Sequence, residues 1–202
     1  VPAGELQPAI ENFQGADVIG IASPRASNES NFALRCLVGD ENFYSGISDA
    51  EHEATQLILS LAKDSAFHAP SVKEIEAADA IIIIGEDVTN VAPRIALALR
   101  QSVRNKAMEL ADGCNIPQWQ DAAVRELAQH DRSPLAILSS YATRLDDVAS
   151  DVVIDSPAAL INIAAAVANK ISGNAPASSA SDDVVEKIAS QLGDAKHPLI
   201  IA

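Results

Sequence analysis

Cysteine and aromatic residues are scarce in this chain. Its 202 residues include two cysteines, and phenylalanine, tryptophan and tyrosine together make up 3%. Cys36 and Cys114 lie far apart and form no Cys-x-x-Cys pair, which excludes a disulfide framework and an all-cysteine cluster built within this chain. The core must therefore consist of Ala, Ile, Leu and Val, as is common where helices pack on a sheet.

Basic residues and long apolar runs are also few. The chain has 14 lysines and arginines against 28 aspartates and glutamates, which gives a net charge of −14. A field of this sign repels the phosphates of nucleic acid and anionic lipid surfaces. The longest apolar stretches, such as 80–84 and 163–168, are far shorter than the roughly 20 residues that span a bilayer. We therefore expect no nucleic-acid partner and no direct membrane insertion.

Sequence motifs for phosphate binding and nucleophilic catalysis are missing. The chain contains no Gly-x-Gly-x-x-Gly, no Gly-x-x-x-x-Gly-Lys-Ser/Thr and no Gly-x-Ser-x-Gly. These motifs allow close backbone approach to a pyrophosphate or expose a nucleophilic serine. The histidines have no metal-ligand spacing and stand among polar or turn residues. We therefore predict no catalytic residue and no metal ligand in this chain.

Short apolar segments alternate with amphipathic ones along the chain. Apolar runs at 17–22, 79–85, 134–138 and 152–154 predict strands, and the run at 79–85 is typical of a strand buried on both faces of a parallel sheet. The alternation predicts an α/β fold with a doubly wound, mainly parallel sheet, in a Rossmann-like three-layer α/β/α arrangement.

Capping signals predict where several helices begin. Ser48 and Ser71 each stand three residues before a glutamate and form capping boxes, and Ser156 before a proline is a further N-cap. Another helix is expected to begin at Pro117, with Trp119 as an anchor in the core or at an interface. In the helix after residue 28, the apolar face is expected to be turned inward, with Phe32, Cys36 and Leu37 buried.

A segment rich in Ala, Ser and Pro, residues 174–181, resembles a linker. We therefore predict a Rossmann-like domain over residues 1–173, and a linker, helix and strand over 174–202 that begin the next unit. The chain starts at Val1 rather than Met, and its last residues have the pattern of a strand with nothing to follow it. We accordingly expect a fragment that is truncated at the C-terminus.

Three loops, residues 23–28, 85–90 and 139–147, are candidate ligand sites, because ligands in such sheets bind beyond the carboxyl ends of the strands. The first contains Ser23, Arg25 and Asn28 at the start of a helix, where an anion would be favoured. The glycines that allow close backbone approach to a pyrophosphate are missing, so a plain capped turn is the favoured interpretation.

In the second loop, Gly85 is followed by Glu86 and Asp87, whose two charges oppose an anionic ligand. At about 4 Å and an effective dielectric near 20, each carboxylate–phosphate contact costs on the order of 4 kcal/mol. Helix capping and a domain contact are the favoured roles of this loop.

A third polar cluster comprises Arg144, Asp146 and Asp147. It fits a paired-carboxylate or metal site, or else a solvated salt bridge within the loop. With no paired histidine or third ligand nearby, the salt bridge is the favoured interpretation.

Three blocks of the sequence resemble one known family. They are VIGIASPRASNESNFAL at 18–34, GEDVT at 85–89 with PRIALALRQ at 93–101, and TRLDD at 143–147. These blocks look like the matching stretches of the large iron-sulfur subunit, also called the G subunit, of NADH:quinone oxidoreductase, respiratory complex I. The resemblance covers essentially the whole chain, and the blocks occur in the same order.

The resemblance implies a place in the large C-terminal part of that subunit, which is similar in fold to molybdopterin oxidoreductases such as formate dehydrogenases. Those enzymes hold a bis-pterin cofactor with the corresponding loops, and small polar residues usually follow the long apolar strand. Glu86 and Asp87 depart from this pattern, which implies that the cofactor site is degenerate. The iron-sulfur ligands of the family lie in an N-terminal part that is absent here, so the clusters belong to the parent subunit and no cofactor is expected in this chain.

The expected function is that of a structural, redox-inactive part of the G subunit in the peripheral arm of the complex. Its partners would be the remainder of that polypeptide and other peripheral-arm subunits. The resemblance also implies a soluble segment on the cytoplasmic side of the inner membrane, within a membrane-attached complex. One alternative is a nucleotide- or pterin-binding module that uses Ser23, Arg25, Asn28 and Thr89. A second alternative is an enzyme whose active site is completed by the rest of the polypeptide.

Overall fold

A computed structural model describes Pro8, Glu11 and residues 18–174 and 182–202. The chain divides into two compact units, Val1–Ala69 and Pro70–Ala202. The predicted boundary near residue 174 differs from this division, because the last helix and strand pack within the second unit. The predicted linker lies outside the described residues except for Asn174.

Within residues 18–69, the first unit contains a small parallel sheet, two α-helices and a short 3₁₀ helix, Asp40–Asn42. Strand β1 (Gly20–Ile21) pairs with β2 (Phe43–Tyr44), and helices α1 (Asn28–Val38) and α2 (Asp49–Lys63) follow the two strands. The amide of Ser30 donates to the Ser27 hydroxyl and caps α1, and Ser48 forms the predicted capping box at the start of α2.

The first unit buries little of its apolar surface. Neither α1 nor α2 has a buried residue, and Phe32, Cys36 and Leu37 are exposed, so their expected burial was wrong. The spacing of apolar residues correctly indicated an amphipathic helix. It could not indicate whether another part of this chain covers the apolar face.

The second unit is built on a four-stranded parallel sheet with the order β5–β4–β3–β6. Its strands are β3 (Ala80–Ile84), β4 (Leu135–Ser139), β5 (Asp151–Ile154) and β6 (Pro198–Ile201). The helices are α3 (Val72–Glu76), α4 (Val88–Val91), α5 (Pro93–Ser102), α6 (Asn105–Gly113), α7 (Asp121–Ala128), α8 (Pro157–Ile171) and α9 (Asp182–Gly193).

Helices cover both faces of the β3–β4 pair and produce three layers. Ile81 and Ile83 pack with Leu99 on the face covered by α3 and α5. Ile82 packs on the opposite face with Leu160 of α8 and Ile188 of α9. Alternate residues of a strand point to opposite faces, so a strand covered on both sides is apolar at every position. This arrangement confirms the predicted α/β/α fold class.

Helix α6 was not predicted, and the helix expected at Pro117 begins instead at Asp121. The residues between form a turn in which the Gln120 amide donates to the Pro117 carbonyl at 2.9 Å. Trp119 lies in this turn and is 80% exposed, so it is not a core anchor in this structure. Among the residues that the structure describes, no helix combines the length and apolar character needed to cross a bilayer.

A carboxylate joins the beginnings of β3 and β6. Asp79 accepts the amides of Lys196 and His197, each at 2.8 Å. Burial raises the pKa of Asp79, but these amides outweigh burial and hold the pKa below its usual value. The side chain thereby pairs backbone groups where the C-terminal segment enters the sheet.

We expect Asp79→Ala to lower the free energy of unfolding by about 1–3 kcal/mol at neutral pH, because two amides lose a charged acceptor. The pKa of Asp79 is lower in the folded state than its unfolded value of about 3.9. Its contribution is therefore complete above the unfolded pKa and is lost as pH falls through the folded pKa. Urea unfolding should show the difference between the two proteins shrinking below about pH 4.

Asp131→Ala is the matched control. The Asp131 side chain is exposed and has no hydrogen bond among those found in the described part of the chain, so its removal should change stability by less than about 0.5 kcal/mol. An Asp79→Ala deficit of equal size at pH 3 and pH 7 would contradict the assigned role of the carboxylate.

Candidate functional site

The loop after β3 is the candidate site in the second unit. Gly85 follows the strand with φ 75°, a value that favours glycine, and its amide donates to the Leu138 carbonyl at 2.7 Å. The chain then turns through Glu86 and Asp87 into α4. This loop lies at the carboxyl end of the parallel sheet, where α/β proteins commonly bind ligands.

Both carboxylate oxygens of Asp87 accept hydrogen bonds from the residues that follow it. Its side chain accepts the Thr89 amide at 3.1 Å and the Asn90 side-chain amide at 2.6 Å, and the residue is 7% exposed. It is the N-cap of α4, which has only four residues. The carboxylate thus occupies the donors that a bound anion would need at this helix start.

Glu86 adds a second carboxylate to the same loop. The residue is half-buried and lines an open groove together with Val88 and Ile201. Its charge and that of Asp87 oppose a phosphate group at the end of β3.

Thr89 offers no usable contact to a ligand at this position. Its hydroxyl oxygen is buried and has no hydrogen-bond partner among the described residues. A hydroxyl that solvent does not reach cannot bind a molecule on the surface unless the loop moves.

The loop with Ser23, Arg25 and Asn28 lies in the first unit, so these residues and Gly85, Glu86 and Asp87 belong to different units. The loop is exposed, and the side chain of Asn31 closes it with two hydrogen bonds to the backbone of Ser23. The Asn31 side-chain oxygen accepts the Ser23 amide at 3.3 Å, and the Asn31 side-chain amide donates to the Ser23 carbonyl at 2.9 Å. The geometry is that of a capped turn.

The carboxylates of Asp146 and Asp147 also bind groups within the chain. Asp146 accepts the hydroxyl of Thr143 at 2.6 Å, whereas Asp147 forms a two-pronged ion pair with Arg100 at 2.7 and 2.9 Å. The hydrogen bond from Arg100 lowers the pKa of Asp147.

Arg100 also donates to the Arg144 carbonyl. The sequence indicated a salt bridge within the loop, but the partner of Asp147 lies 47 residues away on α5. No local pattern reveals that pairing.

Metal coordination finds no support in the described ranges. No group of three or more His, Cys, Asp or Glu side chains there is arranged to hold an ion. The carboxylates of Asp87, Asp146 and Asp147 are bound instead to amides, a hydroxyl or a guanidinium.

We expect Asp87→Ala to lower the free energy of unfolding by about 1–2 kcal/mol, because the Thr89 amide loses its cap. Asp87→Asn should cost less, since an amide oxygen can still accept that hydrogen bond. Urea unfolding measures both changes, with Glu86→Gln as the neighbouring control that should alter stability by less than about 0.5 kcal/mol. A cost for Glu86→Gln as large as that for Asp87→Ala would contradict the capping role.

Comparison with known proteins gives a consistent result along the chain. The NADH-quinone oxidoreductase G subunit of Pseudomonas fluorescens is 46% identical over 98% of this chain, which covers 22% of that protein. The G subunit of Shewanella oneidensis is 46% identical over 96% of the chain, which again covers 22% of the relative. That of Escherichia coli K12 is 41% identical over 94% of the chain, which covers 21% of the relative.

The chain thus spans about a fifth of the length of the curated relatives it matches. No protein-family model matches it. Identity at this level over nearly the whole chain confirms the resemblance noted in the sequence: the chain is homologous to a segment of the G subunit of NADH-quinone oxidoreductase.

Proposed function

We propose that this chain, as a homologue of a segment of the NADH-quinone oxidoreductase G subunit, is a structural α/β part of that subunit and holds no redox centre. Its partners would be the remainder of the same polypeptide and other subunits of the peripheral arm. It would lie on the cytoplasmic side of the inner membrane as part of the membrane-attached complex. Electron transfer would then depend on clusters elsewhere in the polypeptide.

The two carboxylates in the loop after β3 are the observation that supports this proposal. Asp87 fills the capping position at the start of α4, and Glu86 stands beside it. A pterin diphosphate at this edge of the sheet would meet two carboxylates. Each contact at about 4 Å would cost on the order of 4 kcal/mol at an effective dielectric near 20, more than a helix terminus returns.

The cores on both sides of the sheet support a structural role. Leu99 is 0% exposed and packs between α5 and β3, and the opposite face is closed by α8 and α9. Such packing transmits a defect in one element to its neighbours. A segment of this kind stabilises the fold of the polypeptide that contains it, whether or not it binds a ligand.

Ligand titration tests the absence of a cofactor site. We expect pyrophosphate and GDP, used as probes of a pterin-dinucleotide tail, to leave thermal unfolding of the chain unchanged. A true ligand at a hundredfold excess over its Kd would add about 2.7 kcal/mol. Elemental analysis of the purified chain should likewise return no stoichiometric molybdenum, tungsten or iron.

Arg25→Ala tests the alternative that the chain is a nucleotide- or pterin-binding module. Stabilisation by GDP that this variant abolishes would place an anion site in the first unit and refute the inert scaffold. Stabilisation that Arg25→Ala leaves intact but Glu86→Lys strengthens would place the site at the loop after β3 and would also refute it.

A core variant in the complete polypeptide tests the structural role directly. Leu99→Ala should cost about 2–5 kcal/mol because it leaves a cavity. In a full-length relative that carries the equivalent change, we expect less assembled complex but unchanged NADH oxidation per assembled complex. The readouts are the amount of complex on a native gel and its specific activity.

Leu97→Ala on the same helix is the matched control. Leu97 is 45% exposed, so its truncation should leave the amount of complex almost unchanged. If Leu99→Ala lowered activity per assembled complex while assembly stayed normal, the segment would contribute to electron transfer and the structural proposal would be wrong.

A further inference from the structure

We draw no further inference here: the strongest candidate, the exposed apolar surface of helices α1 and α2 in the first unit, which includes Phe32, Leu57 and Ile58, carries no proposal because nothing in the described part of the chain shows what covers it.

Discussion

Burial of β3 on both faces is the constraint on which the second unit depends. Its isoleucines alternate between two cores, one under α3 and α5 and the other under α8 and α9. The backbone of such a strand cannot be exposed to water, so strands on either side must take up its hydrogen bonds. β4 and β6 do this in parallel register. Parallel neighbours in turn require crossover connections, which the helices on the two faces provide.

Much of this arrangement follows from the sequence, because its signals are local. A run of β-branched residues is itself the signature of a doubly buried strand. Ser48 and Ser71 lie next to the helix starts that they cap, and both capping boxes are present as expected. Where the competing interactions are distant, sequence patterns are insufficient. Helix α6 begins at Asn105, whose side chain donates to the carbonyls of Glu76 and Ala78, nearly thirty residues earlier.

The candidate site was partly predictable for the same reason. The charges of Glu86 and Asp87 and their position after β3 follow from the sequence, as does the tendency of an aspartate to cap the helix that it precedes. The ion pair of Asp147 with Arg100 does not, because it joins two sequence blocks that only the packing of α5 brings together. Similarly, the periodicity of α1 indicated which side chains share a face. It could not indicate that Phe32 would be exposed, since periodicity contains no information about the covering surface.

These contacts also explain how so acidic a chain can lack an evident cation site in its described part. Asp79 accepts two backbone amides at the amino end of β3, and Asp87 caps α4 at its carboxyl end. A carboxylate that accepts fixed hydrogen bonds is stabilised in its charged form without a metal, and it has fewer lone pairs left to offer one. Acidic residues at the two ends of the central strand thus organise the backbone. At the carboxyl edge, where α/β proteins commonly bind ligands, the charge of Asp87 that caps α4 also opposes an anionic ligand, so one carboxylate both stabilises the fold and disfavours anion binding.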